Sequence, residues 1–123
     1  MKPSEILRKA KELLETKKWT QAYVALDGYA RYCSPCSTKA ECFCSMGAIG
    51  HVVGSDDPLL GHGAHVSPAE RLMDAVFPEW RDGANGDNAV DLVVDWNDDK
   101  QQTKQEIIDT FALAIELAER EGQ

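Results

Sequence analysis

Thr103-Lys104-Gln105-Glu106-Ile107-Ile108-Asp109-Thr110-Phe111-Ala112-Leu113-Ala114-Ile115-Glu116-Leu117-Ala118 decides how the rest of the chain is read. Thr103 with Glu106 three residues on forms a capping box, which satisfies orphan backbone donors at a helix start. Ile107, Ile108, Phe111, Ile115 and Ala118 then recur at helical spacing and give one inward face. A helix with such a face needs other apolar elements to cover it.

The N-terminal segment supplies one. Ile6, Leu7, Ala10, Leu13 and Leu14 form a single apolar stripe, so a helix is predicted over about 3–18, with Pro3 in its first turn and Ser4 as its cap. Trp19 closes its end. Cys44 to Val53 predicts a short buried helix with Met46, Ile49 and Val53 on one face, Val52 beside them, and Gly54 as its stop. Gly47 and Ala48 are small, so another element can approach there. Ser67-Pro68-Ala69-Glu70 predicts another start, capped by Ser67, with Leu72, Met73, Val76 and Phe77 buried.

Two segments are less uniform. Asp27-Gly28 lies between Tyr23-Val24-Ala25-Leu26 and Tyr29-Ala30-Arg31-Tyr32, the pattern of a hairpin closed by a type I′ turn. In 87–96, helical spacing (Ala89, Leu92, Val93, Trp96) and strand alternation (Val90, Leu92, Val94, Trp96) fit equally well. Asp87 as a cap favours helix. Asp82-Gly83-Ala84-Asn85-Gly86 reads as a turn, and 33–41 and 55–66 as loops. The expected fold is mostly α, of the α+β kind: four to five short helices and one small β-hairpin near residues 22–33, in one domain over 1–123.

Composition limits the function. The 123 residues suffice for one domain with its own core. A net charge of −8 opposes nucleic-acid and anionic-membrane partners, which require a basic surface. No apolar run reaches the roughly 20 residues of a membrane span, and no signal-peptide pattern opens the chain. A cytoplasmic setting with reduced thiols is expected. Lys2, Arg8, Lys9, Lys11, Lys17 and Lys18 read as a solvated helix face, or as a strip for an acidic partner.

Three stretches carry a resemblance. Trp19 and Gln21 precede the Asp-Gly turn, Cys44-Ser45-Met46-Gly47-Ala48 opens a helix, and Trp96-Asn97-Asp98 precedes the Thr-led C-terminal helix. Together they resemble a family of small bacterial and bacteriophage proteins of unknown function. The resemblance implies a largely helical domain and an accessory role, with no assigned activity. Of the four cysteines only Cys44 matches the pattern it implies.

Chemistry can sit in several places. Cys33, Cys36, Cys42 and Cys44 are spaced C-x2-C-x5-C-x-C. A zinc site is one reading, with His51, His62 or His65 able to replace a thiolate. Free thiols and disulfide pairs are the others. Cys44 at a helix N-terminus is also a nucleophile candidate, with His62 or His65 as base and Asn97 or Asp98 orienting it. The simpler reading is a thiol packed beside Gly47. Trp96, Asn97, Asp98 and Asp99 suit a cation or a ligand hydroxyl, or merely close a turn. The Gly61–His65 loop carries either a metal ligand pair or solvated imidazoles. The favoured function is non-enzymatic and needs no cofactor. Gln21, Cys44, Trp96, Asn97 and Asp98 converge on a pocket for a small molecule, such as a signalling nucleotide, or for a host protein. The sequence does not fix the oligomeric state.

Overall fold

Helix α1 (Pro3–Thr16) lays Ile6, Leu7, Ala10 and Leu14 into the core, as its stripe requires. This is a computed structural model, and it describes residues 1–83 and 88–123. Ser4 does not cap α1. The cap position is Lys2, which makes no side-chain cap bond, while Ser4 Oγ donates to the Gln123 carbonyl at 2.8 Å. The basic side chains around α1 are solvated and partly paired: Arg8 with Glu119, Lys11 with Glu15 and Lys17 with Glu41.

A three-stranded sheet follows, in the order β1 (Lys18–Trp19), β3 (Ala40–Phe43), β2 (Ala25–Asp27). β3 runs parallel to β1 and antiparallel to β2. This central strand lies partly in the stretch expected to be loop, because only Ala40 and Phe43 of its four residues are buried. So short a run shows no alternation to read.

The turn after β2 closes a small hairpin through one bridge, Leu26 to Tyr32. It is not a type I′ turn, which would need positive φ at two successive central residues. Positive φ falls instead on Ala30, at 59°. The Ala30 N–H donates to the Asp27 carbonyl at 3.0 Å, and the Asp27 N–H to the Arg31 carbonyl at 2.9 Å. The loop is therefore three residues, Gly28 to Ala30, ending in a left-handed residue. Asp27 fastens it, accepting from the Tyr29 and Arg31 N–H groups and from Arg31 Nε.

Helix α2 (Ser45–Val53) starts at Cys44 and stops at Gly54, whose φ of 75° is the left-handed cap expected of it. Helix α3 (Val66–Val76) begins earlier than Ser67 predicts. His65 takes the cap position in helical geometry, without a side-chain cap bond. Its buried ring, bonded to the Leu60 carbonyl, ties the incoming loop to the helix start. Phe77 is 53% exposed rather than buried, because the helix ends at Val76 and the backbone turns out at φ −149° into a 3₁₀ turn, Pro78–Asp82.

Residues 89–97 form helix α4 (Ala89–Asn97). Its side-chain cap comes from Asn88, which accepts from the Asp91 N–H; Asp87, and with it the turn over 82–86 beyond Gly83, lies outside the described residues. The buried face is Ala89, Val90, Val93 and Asn97. Helix α5 (Lys104–Arg120) has the predicted Thr103 cap, accepting from the Glu106 N–H at 3.2 Å. α1 packs on α2 and α5, while α3 packs on α4 and α5. Leu7, Leu14, Phe43, Met46, Ile49, Leu72, Ile107 and Phe111 fill the space between. Among the described residues no helix is long and apolar enough to cross a membrane.

Candidate functional site

Asn97, the last residue of α4, is 1% exposed and joins three parts of the chain. Its Oδ1 accepts from Trp19 Nε1 at 2.8 Å, the Ser45 N–H at 2.9 Å and Ser45 Oγ at 2.7 Å. Its Nδ2 donates to the Thr20 carbonyl at 3.2 Å and to Asp98 Oδ1 at 3.0 Å. An amide offers two lone pairs and two N–H donors, so this side chain is saturated by the protein.

Neighbouring residues extend the join. A helix leaves its last carbonyls without intrahelical partners. Gln21 Nε2 meets two carbonyls at the end of α4, donating to Asn97 at 3.0 Å and to Asp99 at 2.8 Å. The Ala22 N–H donates to Asp98 Oδ1 at 3.0 Å, with Ala22 itself at φ 70°. The segment 19–22 is thereby hung on the end of α4. Of the five pocket residues read from the sequence, Gln21, Asn97 and Asp98 meet here, with Cys44 alongside. Trp96 packs partly buried against the core, and its carbonyl accepts from Gln102 Nε2.

Cys44 caps α2, its Sγ accepting from the Gly47 N–H at 3.3 Å. Burial pushes its thiol up to about 11, overcoming the backbone N–H groups of Gly47 and Met46 that favour thiolate; the Asp98 charge pushes the same way. The activation expected at a helix N-terminus is thus reversed by desolvation. No hydrogen bond among the described residues joins Cys44 to His62 or His65. His65 is 2% exposed with Nε2 on the Leu60 carbonyl at 2.6 Å, and His62 is exposed. Asn97 is occupied by Trp19 and Ser45, so the Cys, His and Asn/Asp triple is not assembled.

The remaining cysteines go separate ways. Cys42 sits in β3 opposite Leu26, and the Cys33 N–H bonds the Ala25 carbonyl. Cys36 Sγ lies 3.9 Å from the Gly50 carbonyl. All four thiols are free. Among the described residues no group of three or more His, Cys, Asp or Glu side chains is placed to hold a metal ion, so the spacing read as a zinc set does not converge. Strand β3 and the start of α2 carry Cys42 and Cys44, while Cys33 and Cys36 follow the hairpin on other supports. His51 Nδ1 is engaged by the Pro35 carbonyl at 2.7 Å.

One small cleft opens beside the Asn97 join, with a volume of about 50 Å³. Ala22, Tyr23 and Val24 form one wall, Cys44 and Met46 the second, and Val94, Asn97 and Asp98 the third, with Leu59 at the edge. Its shape depends on Gly47. A Cβ there would fall 1.9 Å from the Val24 carbonyl oxygen, which also accepts the Cys44 N–H at 3.1 Å. Sequence reasoning missed Ala22, Tyr23, Val24, Met46, Leu59 and Val94. They carry no motif: Val24, Met46 and Val94 read equally well as core or strand positions, and Leu59 lies in the 55–66 loop, where no period marks it.

No curated protein and no solved structure matches the chain. A family model does match it over residues 1–117, nearly its whole length, and by that match the chain belongs to a family of unknown function, DUF6197.

Proposed function

We propose that this protein is a partner-binding module whose cleft receives a single side chain of another protein. The observation that carries the reading is the cleft's size together with its rim. About 50 Å³ is far below the roughly 300–1,000 Å³ of pockets that enclose whole small molecules. It is of the order of one side chain. Tyr23 is 53% exposed and Leu59 42% exposed beside the cleft, aromatic and apolar side chains of the kind that a protein interface buries at its centre.

The same site is poorly suited to a signalling nucleotide. Phosphates seek free N–H groups at a helix N-terminus or cationic side chains. At the start of α2 the Ser45 N–H is taken by Asn97 and the Gly47 N–H by Cys44 Sγ. No lysine or arginine lines the cleft. Nor does the site favour thiol chemistry, since the Cys44 thiol stays protonated at neutral pH.

A photo-crosslinking residue at position 59, in cells of the natural host, tests the reading. The expected result is a discrete protein adduct that Val94→Phe abolishes by filling the cleft. A control at Leu113, which is 42% exposed on α5, should give none. Equal adducts from both positions, or adducts indifferent to Val94→Phe in a folded protein, would remove the reading.

A further inference from the structure

We infer that the side chain received by the cleft is a lysine, presented by a basic segment of the partner; this rests on the cleft being a side-chain socket. Asp98 has one carboxylate oxygen committed to the fold and one not. Its Oδ1 accepts from the Ala22 N–H at 3.0 Å and from Asn97 Nδ2 at 3.0 Å. Its Oδ2 has no hydrogen bond, and its carboxylate no ion pair, among the described residues. Asp98 is solvent-exposed and, among the described residues, is the one charged residue lining the cleft, where no lysine or arginine offsets its charge.

The rest of the cleft suits the stem of such a side chain. Val24 and Val94, half-buried over the buried Met46, present apolar surface, against which a lysine's methylenes pack while its charged end stays at the mouth. Tyr23 at the rim adds an aromatic ring of the kind that attracts an ammonium. A purely apolar side chain would cover Asp98 without pairing it, which costs free energy. An acidic one would meet a like charge.

Lysine fits better than arginine. A guanidinium pairs best with both oxygens of a carboxylate at once. Here Oδ1 is already held by two N–H groups, which leaves a single acceptor, and a compact ammonium needs only one. The net charge of −8 also favours encounter with a basic segment.

The test is an NMR titration of the whole chain with four blocked tripeptides, acetyl-Gly-X-Gly-amide, where X is Lys, Arg, Leu or Glu. The lysine peptide is expected to shift the signals of Val24, Met46 and Val94 and to bind tightest. Asp98→Asn, which keeps an oxygen for the Ala22 N–H, should weaken it about tenfold. If that variant loses its fold, the salt dependence of wild-type binding carries the test: lysine-peptide binding should weaken as salt rises, and leucine-peptide binding should not. A leucine peptide binding as tightly as lysine, or lysine binding indifferent to both Asp98→Asn and salt, overturns the cation while leaving the socket. If no peptide shifts Val94 or Met46, the socket itself fails.

Discussion

The Asn97 amide oxygen accepts a 2.8 Å hydrogen bond from the Trp19 indole N–H, across 78 residues of chain. The same oxygen takes both donors of Ser45 at the start of α2. One buried amide therefore fixes the end of α4, the strand after α1 and the first turn of α2 relative to each other. The cleft lies where these three meet, so its geometry depends on this residue even though the amide has no free bonding capacity for a ligand.

Asn97→Ala should destabilise the fold by about 3–5 kcal/mol, because it strands several buried donors at once. Trp19→Phe removes one donor and should cost about 1 kcal/mol. The two effects share a partner, so they should not add: in the Asn97→Ala background most of the Trp19→Phe cost should vanish. Urea unfolding of the four proteins measures this. Full additivity would mean that the indole N–H and the amide do not support one another.

Gly47→Ala should be more severe than its chemistry suggests. The added Cβ would meet the Val24 carbonyl oxygen at 1.9 Å, and that oxygen is backbone, held by the Cys44 N–H. Such a contact cannot relax by rotating a side chain. A loss of about 3 kcal/mol or more is expected, against the roughly 1 kcal/mol gain that Gly→Ala gives inside an open helix. Thermal unfolding close to wild type would show that the 22–24 segment can move aside, and the cleft would then not be rigid.

The helices were legible because their burial is periodic and their punctuation local: Thr103 caps α5, Gly54 stops α2, and Ile6, Leu7, Ala10 and Leu14 of the α1 stripe are buried as read, with Leu13 half-buried. Ser4 and Ser67 show the limit of that logic, since each has a cap residue's identity and neither takes the cap position. Tertiary partners outbid local preference, Gln123 for Ser4 and the buried His65 ring for the start of α3. Strand β3 was illegible because its ordering comes from pairing with β1 and β2, not from its own pattern. At the site, Gln21, Cys44, Trp96, Asn97 and Asp98 were grouped because they are polar or aromatic residues in the stretches that carry the family resemblance, and four of them lie near one another. That their bonds go mostly to Trp19, Ser45, Thr20, Ala22, Gly47 and Asp99 could not be read from a linear chain.

The turn at 27–31 yields a paired prediction. Gly28 is not in the left-handed region, and a Cβ added there would have only Glu41 Cγ nearby, at 3.8 Å. Gly28→Ala should therefore be neutral or stabilising by a few tenths of a kcal/mol. Ala30 does sit in the left-handed region, at φ 59°, where a side chain costs roughly 1 kcal/mol. Ala30→Gly should stabilise by about 0.5–1 kcal/mol. The opposite ranking in chemical denaturation would restore the two-residue Asp-Gly turn.

Cys44 gives the fold a signature at high pH. Burial raises its thiol from 9.0 to about 11, so the native state holds the proton more tightly than the unfolded chain does. The associated stability is complete below about pH 9, where both states are protonated, and is lost as pH rises toward 11. The loss should reach about 3 kcal/mol. Cys33 and Cys36 are also pushed up by burial, so the comparison must be with Cys44→Ser, which keeps an oxygen for the cap and does not titrate there. Between pH 9 and 11 wild type should lose stability faster than the variant. At neutral pH a thiol reagent should modify exposed Cys36 well before Cys44. Parallel stability profiles, or Cys44 labelled as fast as Cys36, would place the Cys44 thiol in water rather than in the first turn of α2, and the wall it gives the cleft would have to be redrawn.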